Sequence, residues 1–280
     1  MKNFIVLFCS LLTIFSSSNL QSKPLEKENI HIIKSSDLEW EPLVPALGTE
    51  GPLYAPLWGN IHKKGASGFL AKMPDGYVSS PHVHNITYRG VTISGLVHND
   101  DPGAEKAWLS PGSIWMQPAG EVHVTAAKGK CNIAYLEMNE GPYLFDPPSD
   151  AFTPPFSALN IDSSHLIWLN QKHSTWLPSR KSKRVKNLAI AFLWGKVSRK
   201  HWNSTLLRLP PDFYGKITNR KGDLKIVVIK GEVTLGKTKN EDLPSGSYFH
   251  LEPSQSSFIS NETDENVLLY IKSKGKYKVY

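Results

Sequence analysis

Gly76-Tyr77-Val78-Ser79-Ser80-Pro81-His82-Val83-His84-Asn85-Ile86-Thr87-Tyr88, closing at Gly95, is followed by Gly112 and then Pro118-Ala119-Gly120-Glu121-Val122-His123. Both stretches sit among runs rich in apolar, aromatic and β-branched residues, separated by Gly, Pro, Asn and Asp. Phe69–Met73, Tyr88–Val97, Ser113–Gln117 and Asn132–Met138 read as strands, and His98-Asn99-Asp100-Asp101-Pro102-Gly103 reads as a turn. Residues two apart on a strand point to the same face. His82 and His84 therefore project into one interior, where imidazole nitrogens can meet a metal at about 2.0–2.1 Å. Gly120 permits a tight turn that brings in His123. The same three residues also fit histidines that only pack or hydrogen-bond. His62 and His98 lie near turns and read as surface residues.

The pattern occurs twice along the chain. Leu57-Trp58-Gly59 returns as Leu193-Trp194-Gly195, 136 residues on, and the same spacing carries Lys64 to Lys200, Pro74 to Pro210 and Gly95 to Gly231. Gly112 matches Gly246 at a spacing of 134. Two copies of one all-β domain follow, each a sandwich or small barrel. The second copy lacks the histidines: His82 becomes Thr218, His84 becomes Arg220 and Tyr88 becomes Leu224. Ser256, Ser257 and Phe258 lie near the counterpart of His123, and His250 is too isolated to replace it. Packing and dimerisation are the expected roles of that half.

The two motifs resemble the paired signature motifs of the cupin superfamily. Gly76, His82, His84 and Gly95 match the first, and Gly112, Pro118, Gly120 and His123 match the second. The resemblance covers most of the chain and looks closest to bicupins grouped with the ChrR-like cupins. It implies two tandem jelly-roll barrels, with one divalent metal (Fe, Zn, Mn, Ni or Cu) on His82, His84 and His123. Two positions depart from the family: Tyr88 stands where the carboxylate ligand falls, and Ala127 where the closing Asn falls. The remaining three-His set resembles cupins such as the acetylacetone-cleaving dioxygenases. Tyr88 is then a donor beside the metal, and Trp108, Trp115, Met116 and Tyr135 are candidates for the pocket wall. Three neutral imidazoles leave the metal its full charge and open positions, which suits a small anionic dicarbonyl. Iron would allow oxygen activation and zinc would activate water or polarise a carbonyl. Two function classes stand: a metal-dependent oxygenase, or a non-catalytic module that binds metal or a small ligand.

Residues 1–22 read as a signal peptide, with Lys2 ahead of an apolar run from Phe4 to Phe15 that is short for a membrane span. A secreted or periplasmic location follows. Cleavage leaves Cys131 as the sole cysteine, expected to be buried and inert. The expected domains are 37–146 with the metal site, a linker over 147–165, and 166–280 without a site, while residues before Asp37 form an arm. The net charge of +7 is concentrated between Lys172 and Lys239, in Arg180, Lys181, Lys183, Arg184, Lys186, Arg199, Lys200, Arg220 and Lys221. This is either a solvated basic face or a contact for an anionic surface. The expected partners are a small-molecule ligand and a second copy of the chain, with no nucleic acid.

Overall fold

Strand-forming runs punctuated by glycine turns build two β-barrels that sit back to back. The computed structural model describes residues 30–178, 187–196, 198, 200–219, 221–236 and 240–280. The signal-peptide segment lies outside these residues, as do Arg180, Lys181, Lys183, Arg184, Lys186, Arg199, Arg220 and Lys239.

The first barrel is one antiparallel sheet with spatial order Glu41–Pro42, Leu53–Trp58, Ser67–Met73, Val124–Met138, Tyr88–Asp100, Ile114–Gln117 and Leu159–Ile161. Its two longest strands pair with each other twice, Tyr88–Ser94 against Ile133–Met138 and Leu96–Asp100 against Val124–Lys128. Between these stretches the strand bends at Gly95, whose φ of 71° is costly for a residue with a Cβ. The strand runs on to Asp100, so His98 and Asn99 are strand residues, and the turn begins at Asp101, whose carboxylate accepts from the Gly103 amide at 2.7 Å. His98 is buried, unlike the exposed His62. Cys131 is exposed, because it follows the bend at Gly129 rather than lying in the buried part of its strand.

The second barrel follows the same path with its long strands broken. Leu224–Lys230 and Glu232–Leu235 flank Gly231, whose φ of 79° repeats that of Gly95. The copies share their irregularities. Pairing slips between Pro56 and Trp58 in one and between Phe192 and Trp194 in the other. Trp58 Nε1 donates to the Tyr135 hydroxyl at 3.2 Å, and Trp194 Nε1 to the Tyr270 hydroxyl at 3.1 Å. A duplicated fold accounts for every one of these matches.

The N-terminal arm crosses over. His31–Ile33 pairs with Tyr248–Leu251 of the second barrel, and Leu159–Ile161 pairs in the equivalent register with Ile114–Gln117 of the first. The Ser35 amide donates to Ser247 Oγ at 3.1 Å, and the Ser163 amide to Ser113 Oγ at 2.9 Å. Each copy thus opens with a strand lent to the other. The segment 147–165 carries that second lent strand, together with the one-turn helices Pro148–Asp150 and Ser163–His165.

Between the barrels, Leu57, Leu70, Val91, Ile93 and Ile114 face Ala191, Leu206, Val227, Ile229 and Tyr248 in one apolar cluster. Tyr135 and Tyr270, equivalent residues of the two copies, meet at 5.0 Å between ring centroids. Beside them, Lys272 Nζ lies 3.0 Å from Glu137 Oε1, and both side chains are almost wholly buried. Burial alone would raise the Glu137 carboxyl, but the Lys272 charge and hydrogen bonds outweigh it and hold it below the ordinary value. A carboxyl lowered by folding adds stability above its unfolded value, near 4.5, and that stability is lost as pH falls through the lower folded value. Lys272→Met strands Glu137 without its partner and should cost about 3–5 kcal/mol. The urea midpoint measures this, and an unmoved midpoint would show that the pair does not hold the barrels together.

Candidate metal centre

Each histidine reaches the first barrel's interior by a different local device. His82 and His123 form an antiparallel bridge, the His82 amide donating to the His123 carbonyl at 3.1 Å and the reverse bond at 3.0 Å. His84 follows two residues on, and its carbonyl accepts from the Gly120 amide at 2.9 Å. Gly120 holds φ at 78° and packs against Phe152, so a Cβ there would meet the ring. Ring centroids lie 4.9 Å apart for His82 and His84, 4.3 Å for His82 and His123, and 5.1 Å for His84 and His123. One nitrogen from each lies within 4.8 Å of the others.

All three Nδ1 atoms face backbone carbonyl oxygens: Ser80 at 2.9 Å, Leu144 at 2.6 Å and Glu121 at 3.2 Å. A carbonyl oxygen only accepts, so each Nδ1 carries the proton and each Nε2 keeps its lone pair. Burial lowers all three imidazole pKa values, His123 to about 3, and the rings are neutral at pH 7. Neutral rings oriented through Nδ1 are the form in which histidines ligate a metal, so the donor set fits a divalent ion.

Tyr88 is fully enclosed. Its hydroxyl lies 3.3 Å from His123 Nε2 and donates to Asn99 Oδ1 at 2.7 Å. Asn99 Nδ2 donates to Gln117 Oε1 at 2.8 Å, and Gln117 Nε2 to the same Glu121 carbonyl that orients His123. Thr125 Oγ1 also donates to Asn99, at 2.8 Å. Burial raises the Tyr88 phenol, which stays neutral.

The cavity beside the histidines measures about 40 Å³, and Tyr88, Trp115, Leu136, Tyr143 and Phe145 are among its walls. Trp115 Nε1 is buried there, close to the Tyr88 hydroxyl. Of the other residues read from the sequence as wall, Met116 alternates with Trp115 and pairs with Leu159 on the far side. Tyr135 faces the second barrel, and Trp108 lies over His98.

Sequence reading did not find Tyr143, Asn99 or Gln117. Tyr143 stacks on His84 at 4.3 Å and places its hydroxyl 3.0 Å from His84 Nε2. It lies outside both motifs, and no spacing marks it. A signal for the polar network did exist in the duplication. The residues equivalent to Tyr88, Asn99, Gln117 and Thr125 are Leu224, Leu235, Leu251 and Ile259, all in the solid apolar core of the second barrel. His250 of that half bonds to Asp223 at 3.2 Å. Among the described residues the second barrel holds no counterpart of the three-His group.

Solved structures share this architecture. A proposed dioxygenase from Nostoc punctiforme superposes with a TM-score of 0.62 at 13% identity, covering 89% of this chain and 84% of the other. The oxalate decarboxylase of Lactobacillus farciminis, in complex with formate, gives 0.55 at 12%, covering 89% and 87%. AerE from Microcystis aeruginosa gives 0.54 at 11%, covering 84% and 96%. At such low identity these likenesses show the fold alone, and that fold is the cupin. No curated protein matches the sequence. The match to a family model begins where the first lent strand begins: residues 31–280 fit the one described as a domain of unknown function, DUF4437, and the chain belongs to that family.

Proposed function

We propose that the first barrel holds one divalent metal on His82, His84 and His123 and uses it to bind a small anionic chelate, such as a dicarbonyl. The observation that carries this reading is the shared orientation of the three imidazoles, each with Nδ1 committed to a carbonyl and Nε2 free of a proton. Among the described residues the walls of the cavity contain no Lys or Arg. The metal would therefore supply the only full positive charge at the site to an incoming anion. Bound metal offers Lewis acidity or, with iron, oxygen chemistry. The protein's own part is to orient ligand rings, keep two phenols neutral and exclude water with Phe145, Tyr143 and Leu136.

An oxygenase is the enzymatic form of this proposal, in line with the likeness to the Nostoc protein. Simple binding of an ion with a very small ligand is the second form, and the cavity of about 40 Å³ favours it. Oxygen consumption with acetylacetone and iron-loaded protein separates the two. Kinship with the ChrR-like cupins and export after loss of residues 1–22 complete the reading and rest on the sequence.

Protein purified without chelator should carry about one divalent ion per chain. His84→Ala or His123→Ala should remove it while circular dichroism keeps its β signature. Wild-type protein without metal, by elemental analysis, would sink the proposal.

Tyr88→Phe removes a hydroxyl held beside His123, not a ligand, so metal affinity should fall by no more than about 10–100-fold. Tyr88→Glu adds a carboxylate at that point, and should tighten the metal and weaken an anionic chelate. If Tyr88→Phe loses metal as completely as His84→Ala, then Tyr88 is itself a ligand.

A further inference from the structure

A second, larger cavity lies between the barrels, with a volume of about 720 Å³. It shares no lining residue with the metal cavity. Trp58 comes from the first barrel, while Trp202, Lys196, Lys225 and Lys272 come from the second. The Lys225 ammonium sits 5.2 Å from the Trp58 ring centroid and 5.4 Å from that of Trp202. Lys272 sits at 5.5 Å and 5.9 Å from the same rings.

The two lysines differ in what satisfies them. Lys272 is bonded to Glu137 and to Asn139 Oδ1, each at 3.0 Å. Lys225 is half-buried, and its ammonium makes no hydrogen bond or ion pair with any described residue. The nearby carboxylate of Asp223 is engaged by His250 at 3.2 Å. A half-buried ammonium with aromatic neighbours and no acceptor is a place where an anion is stabilised. Burial is the main effect that disfavours the charged form of Lys225; Asp223 and Glu137 favour that form and Lys272 opposes it. The carboxylates offset burial only in part, and an incoming anion would relieve the remainder.

Only half of the aromatic wall repeats across the duplication. Lys225 over Trp58 has an equivalent in Arg89 over Trp194, at 5.7 Å. Trp202, however, stands where the first copy has Ala66. One side of the molecule has thus gained a second indole and, with it, a lined cleft.

We propose that this cleft binds a small carboxylate carried on a six-membered ring. Lys225 meets the carboxylate, Lys196 adds charge at the mouth, and Trp58 and Trp202 flank the ring. An aromatic acid and a sugar acid share this chemistry.

The test is calorimetric titration of the intact chain with benzoate, glucuronate, their neutral counterparts benzyl alcohol and glucose, and inorganic phosphate. At least one of the two acids should bind saturably and its neutral counterpart should not. Benzoate alone would identify an aromatic acid, glucuronate alone a sugar acid. Lys225→Met keeps the apolar stem and should weaken binding about tenfold or more, with metal content unchanged. Trp202→Leu should also weaken it, and His84→Ala should leave it intact, which separates this site from the metal centre. Absence of saturable binding by both acids overturns the proposal. So does equal affinity in Lys225→Met, or phosphate binding as tightly as either acid.

Discussion

The two barrels touch through the outer faces of the sheets whose inner faces line their interiors. Tyr135 and Tyr270 meet there, and Glu137 and Lys272 pair beside them. Side chains alternate along a strand, so fixing one face fixes the other. Leu70 and Tyr135 point to the partner barrel, while their chain neighbours Ala71 and Leu136 point to the metal cavity. The same holds for Ile114 and Trp115. Locking the outer face with interdigitated side chains thereby locks the wall of the site. The Glu137 and Lys272 positions are equivalent in the two copies, yet they now carry opposite charges. A symmetric pair of like charges there would repel, and divergence has turned the position into an attraction.

Divergence has also divided two tasks between the barrels. The second is filled by Leu207, Phe213, Leu224, Ile226, Val228, Phe249 and their neighbours, all essentially inaccessible. A dry, close-packed interior of this kind is the ordinary source of stability. The first keeps Tyr88, Asn99, Gln117, Thr125 and three histidines inside, each requiring a partner. Functional interiors are retained at some expense of stability, and here the expense is borne by a chain whose other half is solid.

What could be read from sequence was what depends on near neighbours. His82 and His84 share a face because strands repeat every two residues, and Gly95, Gly120 and Gly231 announce bends because only glycine takes positive φ freely. The duplication was legible for the same reason, since identical bends need identical residues. What stayed hidden depends on register and distance. Met116 and Tyr135 sit on the expected strands but on the other face, because each is the immediate neighbour of a residue that faces the cavity, Trp115 and Leu136. Tyr143 approaches His84 from the loop after Val124–Met138, and the Ser35 and Ser163 arms repeat at a spacing that changes before Ala189, so the 136-residue frame passes over them. Asn99 looked like a turn residue because Asp101-Pro102-Gly103 follows it.

The exchange of leading strands sets an order on synthesis. Chains emerge from the N-terminus and fold unit by unit. The first barrel can close as soon as Leu159–Ile161 has been made. The second cannot, because its edge strand, His31–Ile33, was among the first described segments produced and its seat, Tyr248–Leu251, is among the last. Until that seat exists the early strand has exposed hydrogen-bonding groups and no mate. Synthesis of the second barrel is therefore registered by a segment made long before it: His31–Ile33 docks only once Tyr248–Leu251 exists.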